Sequence, residues 1–187
     1  MGWKAGLKLI QPMNPISTTE NLLLPFKSAL GTDYEKYRNH VLRVLLNCII
    51  LDHIPANQER YAIAAVYHDI GIWTDHTFDY LHPSILQAEK YLSENGKQEL
   101  IPQISAMIYW HHKIKPYQGE YEQTVEVFRK ADWIDVSLGL LSYGGEKKMM
   151  ASYRSQFPNR GFHFFLVKQA FKNFLKHPFN PIPVFKK

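Results

Sequence analysis

The chain has 187 residues and a mass of 21.9 kDa, a length that predicts one domain with one sizeable core. Its 45% hydrophobic and 21% charged residues exclude a disordered, collagen-like or coiled-coil chain. The net charge of +5 suits an anionic ligand. The lysines and arginines are scattered, however, and form no nucleic-acid-binding signature, so we expect no nucleic-acid partner.

No stretch of the sequence is long and apolar enough to span a bilayer. The longest apolar run, residues 44–51, is interrupted by Asn47. From Gln11 onward, polar residues and prolines interrupt the N-terminal apolar residues before a signal-peptide core forms. We therefore expect a cytoplasmic protein without a membrane partner. The single cysteine, Cys48, excludes an internal disulfide framework.

The first helices are predicted from capping residues and prolines. Residues 1–16 are expected to be irregular, and Ser-Thr-Thr-Glu at residues 17–20 predicts the N-terminal cap of the first helix. Pro25 is expected to shorten or kink this helix. Asp33 is predicted to cap a longer helix to about Leu51, because apolar residues recur there at helical spacing.

His40 lies beside the apolar stripe of that long helix. Pro55 precedes a third helix that is apolar throughout and is therefore expected to be buried on most sides. We expect this helix to end near Gly71, because glycine readily adopts the left-handed conformation that closes a helix. This places His68 and Asp69 in its last turn.

Two further helices follow, each opened by a proline. His82-Pro83 predicts a helix to Gly96 with the histidine at the N-cap and the proline at the first helical position. Pro102 opens another helix, which carries His111 on the same face as its isoleucines.

A sixth helix, over about residues 122–141, carries Asp132 on its apolar stripe and Asp135 a turn later. Gly144-Gly145 is expected to break it. Two more helices are predicted over about residues 146–156 and 162–176, before a tail with Pro178, Pro181 and Pro183.

The predicted fold class is all-α, with about six to eight helices. No segment shows sustained alternation of apolar and polar residues, and no Asn-Gly or Asp-Gly turn joins β-branched runs, so a sheet has little support.

Several acidic and imidazole residues occur where the predicted helix faces or ends point inward. Such groups are costly to bury unless they are paired or bind a cation. A mixed set of nitrogen and oxygen donors is typical of catalytic centres that hold Mn, Fe, Co, Ni or Zn. The candidate metal ligands are His40, His68, Asp69, His82, His111 and Asp132.

Two of these choices have a close competitor in the sequence. The helical register favours His111 over His112, which is then a candidate for contacting the substrate or orienting a ligand. Alignment with apolar residues favours Asp132 over Asp135, three residues further on. His82 has an alternative reading as well, since His-Pro also occurs simply as a helix start.

Three segments, in this order, resemble the HD-domain superfamily of metal-dependent phosphohydrolases. They are Tyr-Arg-Asn-His at residues 37–40, His-Asp-Ile-Gly at 68–71 and Lys-Ala-Asp at 130–132. The resemblance covers about residues 30–145 and implies a single helical bundle of the HD-domain type over residues 1–187. Residues 146–187 would add C-terminal helices and the proline-rich tail.

The resemblance also implies roles for the candidate ligands. It assigns a first metal ion to His40, His68, Asp69 and Asp132, and it assigns His82 and His111 to a second ion that shares the carboxylate of Asp69. Asp69 and His111 are thus the candidate catalytic residues. The implied cofactor is one or two divalent ions of Fe, Mn, Co, Ni or Zn, which would activate a water molecule to attack phosphorus.

The resulting hypothesis is a hydrolase that cleaves a phosphate ester or anhydride in a small phosphorylated substrate, such as a nucleotide. Lys113, Lys115 and Arg43 are candidate phosphate contacts, although a solvated basic face explains them about as well. Two alternatives are an oxygenase with a diiron site, similar to the inositol oxygenases, and a ligand-sensing module without catalysis. The oligomeric state is left open.

Overall fold

The computed structural model describes residues 14–177. The predictions for residues 1–13 and for the proline-rich tail from residue 178 onward lie outside the described residues. Within residues 14–177 the chain forms α-helices and short 3₁₀ turns, with no strand. The all-α prediction is confirmed.

The α-helices follow one another with short connections. In chain order they are α1 (Pro15–Leu23), α2 (Lys27–Leu30), α3 (Tyr34–Leu51), α4 (Gln58–Tyr67), α5 (Gly71–Thr74), α6 (Leu81–Glu94), α7 (Ile101–Trp110), α8 (Glu122–Val136), α9 (Lys147–Gln156) and α10 (Phe162–Lys176).

The core lies between α3, α4, α7 and α8. Helix α3 packs against α4, α8 and α9, while α7 packs against α4, α6 and α8. Every residue from Tyr61 to Val66 in α4 is fully buried, as its uniformly apolar sequence predicted. Three of these are alanines, whose small side chains let neighbouring helices approach closely. Cys48 is buried in the same core.

Helix α1 begins earlier than predicted. The Asn14 side chain accepts hydrogen bonds from the backbone N–H groups of Ile16 at 3.0 Å and Ser17 at 3.4 Å, and Pro15 occupies the first helical position. The predicted cap at Ser17 is therefore wrong, and residues 15 and 16 are helical. The helix ends at Leu23, just before Pro25, as predicted.

Gly71 was predicted to close α4 in a left-handed conformation. This prediction is wrong, because Gly71 has no positive φ angle and is the first residue of α5. A side chain is excluded there for another reason, since a Cβ atom would lie 2.8 Å from the Tyr80 carbonyl oxygen. The Gly71 N–H donates to Ser84 Oγ at 3.0 Å. The glycine thus lets α5 pack closely on the start of α6.

Helix α8 ends at Val136 and not at about residue 141. Leu138 and Gly139 adopt positive φ angles of 55° and 79°, and the Gly139 N–H donates to the Ile134 carbonyl at 2.8 Å. This left-handed pair closes the helix. The later Gly144-Gly145 pair is thus not the helix breaker. No helix within residues 14–177 has the length and apolar character required to cross a membrane.

Candidate metal centre

Four parts of the fold deliver acidic and imidazole side chains to one buried place. They are the middle of α3, the turn after α4, the end of α7 and the second half of α8. The residues are His40 on α3, His68 and Asp69 after α4, His111 and His112 after α7, and Asp132 and Asp135 on α8. Except for His112, whose side chain is 14% exposed, all are at most 2% exposed.

The first group of possible ligand atoms contains two imidazole nitrogens and two carboxylate oxygens. The Nε2 atoms of His40 and His68 lie 2.9 Å apart. Asp69 Oδ2 is 3.7 Å from the former and 3.4 Å from the latter, and Asp132 Oδ1 is 3.7 and 3.8 Å away. Atoms that bind one ion at about 2.0–2.2 Å lie roughly 3–4 Å apart, so the atoms of His40, His68 and Asp69 suit a single cation, and Asp132 Oδ1 lies beside both histidines.

The second group lies on the other side of Asp69. The Nε2 atom of His111 is 3.4 Å from Asp69 Oδ1, and His112 Nε2 is 4.0 Å from the same oxygen. His112 also faces Asp132, with 3.7 Å between its Nδ1 and Asp132 Oδ2. Asp69 therefore presents Oδ2 to one pair of histidines and Oδ1 to the other.

Three buried atoms at this centre have no hydrogen-bond partner: Asp69 Oδ1, His111 Nε2 and Asp132 Oδ2. Burying polar atoms without partners is costly, and native proteins rarely leave them so. A cation bound to these atoms would supply the missing interactions. The donor set, with its imidazoles and carboxylates, fits a divalent transition metal.

Backbone carbonyls at the ends of two helices orient the histidines. His68 Nδ1 donates to the Ala65 carbonyl at 2.8 Å and His111 Nδ1 donates to the Ile108 carbonyl at 2.6 Å. Both carbonyls belong to a last helical turn, where helix geometry leaves acceptors free. Because Nδ1 of each histidine bonds to a carbonyl, Nε2 is the nitrogen that faces the centre.

Asp135 orients the third histidine from behind. It accepts a 2.7 Å hydrogen bond from His40 Nδ1 and a bidentate ion pair from Arg43, at 2.5 Å from Nε and 2.9 Å from Nη2. Burial alone would raise the pKa of the Asp135 carboxyl, but Arg43 and His40 lower this pKa by more than burial raises it. The Asp135 carboxylate therefore stays ionised. The structure thus separates the two competing aspartates: Asp132 faces the centre, and Asp135 holds His40.

The charges of the cluster favour a cation at its middle. Burial lowers the pKa of His40 to about 4. Burial also opposes the charge of His68, but the carboxylates of Asp69 and Asp132 raise the pKa of His68 to about 9. His68 is therefore the charged donor, and His40 the acceptor, in their 2.9 Å contact. A cation bound here would replace the Nε2 proton of His68, and the same two carboxylates would stabilise its charge.

The structure places the other sequence candidates in different surroundings. His82 is exposed in the first turn of α6 and lies outside both groups. Arg43 is buried, with Nη1 donating to the Phe157 carbonyl at 2.7 Å in addition to its pair with Asp135. Lys113 Nζ lies 4.8 Å from the centroid of the Tyr109 ring, and Lys115 is exposed.

Two neighbours of the centre were missed by the sequence reasoning. Tyr80 places its hydroxyl 2.5 Å from His112 Nε2, and Phe162 stacks on the His40 ring with a centroid distance of 4.1 Å. Neither residue carries a local signal, because each reaches the centre through long-range packing. His112 was visible beside His111, but the predicted helix face favoured only one of them.

A family model described as HD domain matches residues 37–137, more than half of the chain. The chain belongs to the HD domain family. The match runs from α3 into the turn after α8 and contains every residue of both histidine groups. Neither a curated protein nor a solved structure matches the chain. HD domains bind divalent metal ions, and this HD domain has His/Asp groups that could hold one.

Proposed function

We propose that this HD domain is a metal-dependent phosphohydrolase that cleaves an ester or anhydride bond in a small phosphorylated substrate, such as a nucleotide. The observation that carries the proposal is the placement of Asp69. Its two carboxylate oxygens face two different pairs of histidines, an arrangement that suits two ions sharing one carboxylate.

One ion would be held by His40, His68, Asp69 and Asp132, and the second by Asp69, His111 and His112. His112 takes the place that the sequence pattern gave to His82, because His112 lies within 4.0 Å of the shared carboxylate while His82 faces solvent. The imidazole-rich set favours Mn, Fe, Co, Ni or Zn over Mg, which prefers oxygen ligands.

Divalent ions of this kind lower the pKa of water and neutralise phosphoryl charge during displacement. The chain would contribute positioning and proton control. Asp135 and Arg43 hold His40 in place, and the Tyr80 hydroxyl contacts His112 Nε2. Burial raises the pKa of Tyr80 well above its usual value, so this hydroxyl keeps its proton at neutral pH.

Substrate recognition would fall to the segment that follows the paired histidines. Lys113 directly follows His112 in the chain, and Lys115 lies two residues further on. Burial removes part of the hydration of the Lys113 ammonium group and so lowers its pKa, and a contact with phosphate oxygens would replace the lost interactions.

A diiron oxygenase remains the second candidate, because a carboxylate shared between two histidine groups suits iron as well. The two functions differ in their need for oxygen. A hydrolase releases phosphate without oxygen, whereas an oxygenase requires it.

The test is an oxygen-free assay of phosphate release from a panel of nucleotides and phosphomonoesters, with Mn²⁺, Co²⁺ or Fe²⁺ supplied. We expect release that a chelator abolishes and that Asp69→Asn lowers by about 1,000-fold or more. Asp79→Asn, a change at an exposed acid, is the matched control and should retain activity. Turnover that appears only with oxygen would favour the oxygenase, and ligand binding without turnover would favour a sensing module.

A further inference from the structure

Helix α10 turns an apolar face toward solvent. Its 15 residues include five large hydrophobic side chains that are between 46% and 74% exposed. They are Phe164, Val167, Phe171, Phe174 and Leu175. Exposed apolar groups of this size on one element are typical of a binding surface.

The exposed residues share one side of the helix. At 3.6 residues per turn, they lie opposite Phe162, which is 1% exposed and packs on His40. Phe165 faces the protein as well, stacked on Trp73 with a centroid distance of 5.1 Å. Because α10 is held by its inner face, the exposed side chains are a second apolar face that nothing within residues 14–177 covers.

The flank of this face is basic. Lys168, Lys172 and Lys176 recur every four residues and are exposed, and α10 contains no aspartate or glutamate. Such a helix has aromatic and aliphatic residues on one face, lysines beside them and no acidic residue. It complements a surface with an apolar interior beneath a layer of anionic groups. An anionic phospholipid bilayer is such a surface.

We propose that α10 is a peripheral membrane anchor that binds bilayers containing anionic phospholipids. The helix would lie in the plane of the headgroups, with the five apolar side chains inserted and the lysines contacting phosphate and carboxylate groups. The expectation of no membrane partner rests on the lack of an apolar stretch long enough to span a bilayer, and a helix that lies on the membrane surface needs no such stretch.

A second copy of the chain fits this face less well. A helix of 15 residues is about 22 Å long and about 10 Å wide, so its outer face offers roughly 200–300 Å² of contact. A stable interface usually needs about 800 Å² from each partner. Two α10 helices would also bring six lysines together without any acidic residue between them.

The proposal is tested by sedimenting the full chain with vesicles of phosphatidylcholine alone or with phosphatidylserine added. We expect binding only with phosphatidylserine and weaker binding at high salt. Phe164→Ser/Phe171→Ser should weaken binding by about tenfold or more, and Lys168→Gln/Lys172→Gln should weaken it by about tenfold at low salt.

The matched control is Ile54→Ser/Leu86→Ser, which removes two apolar side chains of similar exposure elsewhere, 44% and 50%, and should bind as the wild type does. Metal content and circular dichroism check that each variant is folded. Failure of the wild type to sediment with phosphatidylserine vesicles would overturn the proposal, as would equal losses in the control. So would a dimer, measured by light scattering, that Phe164→Ser/Phe171→Ser dissociates, because the face would then join two copies.

Discussion

The centre of the molecule and its C-terminal helix depart from the usual distribution of side chains in opposite ways. Around His40 and Asp69, ionisable groups are buried, and three of their polar atoms have no protein partner. On α10, large apolar groups such as Phe164 and Phe171 are exposed. Buried polar groups and exposed apolar patches are the informative exceptions to normal burial.

The comparison shows that each exception requires a different missing partner. The buried centre requires a charge, because its unsatisfied atoms are carboxylate oxygens and an imidazole nitrogen. The exposed face of α10 requires an apolar surface edged with negative charge, because its side chains are aromatic and aliphatic beside lysines. Both regions meet at Phe162, which packs on His40 at the start of α10.

The largest expected effect on stability comes from Arg43. Arg43→Ala would leave the Asp135 carboxylate buried without its bidentate partner, so we expect a loss of about 3–5 kcal/mol in the free energy of unfolding. Denaturant titration measures it. Arg38 lies on the same helix as Arg43 and forms a half-buried ion pair with Glu20 of α1, and Arg38→Ala should cost at most about 1 kcal/mol. Equal losses would show that the Arg43 pair is no more important than a surface pair.

A smaller effect separates the two faces of α10. Phe162→Ala would open a cavity beside His40 and should lower the free energy of unfolding by about 3 kcal/mol. Phe171→Ala, at a side chain that is 60% exposed, should change it by at most about 0.5 kcal/mol. A large loss from Phe171→Ala would indicate that another part of the protein covers this face of α10.

The smallest expected effect on stability concerns Asp52, a buried carboxylate whose oxygens accept hydrogen bonds. Asp52 accepts hydrogen bonds from the Tyr61 hydroxyl at 2.6 Å, Asn57 Nδ2 at 2.8 Å and the Ile54 N–H at 3.0 Å. Asp52→Asn should therefore cost about 1–3 kcal/mol of stability and leave metal content unchanged. A loss of metal would contradict the distinction between Asp52 and the unsatisfied aspartates.

The stabilising contribution of Asp52 should also depend on pH. Burial raises the pKa of Asp52, but the hydrogen bonds from Tyr61, Asn57 and Ile54 outweigh it and lower the pKa below its usual value. Its stabilising contribution is therefore full above pH about 4 and is lost as the pH falls below that value. The difference in unfolding free energy between wild type and Asp52→Asn should narrow under acid, and a difference that widens would contradict the assignment.

Much of the fold could be predicted because its signals are local. Apolar spacing predicted α3 and α4, and prolines marked the C-terminal end of α1 and the start of α7. Two boundaries were missed because the deciding contacts are not periodic. Asn14 caps α1 from a position before the expected pattern, and Leu138 closes α8 in a left-handed conformation that its side chain disfavours.

The candidate centre could be predicted as far as helical spacing determines which side chains point inward. His40, His68, Asp69, His111 and Asp132 were placed inward by their spacing, and they meet. The surroundings of His82, His112 and Asp135 depended on how whole helices pack. Alignment with apolar residues correctly favoured Asp132 over Asp135 for the centre, but no local pattern showed that Asp135, three residues along α8, would bind His40 from behind.

The most direct test of the central claim is the number of metal ions bound per chain, measured by elemental analysis after purification without chelator and reconstitution with Mn²⁺ or Fe²⁺. We expect about two ions for the wild type and for His82→Ala, about one for His112→Ala and close to none for Asp69→Asn. A wild type that binds no ion, or an Asp69→Asn variant that keeps both, would contradict the claim.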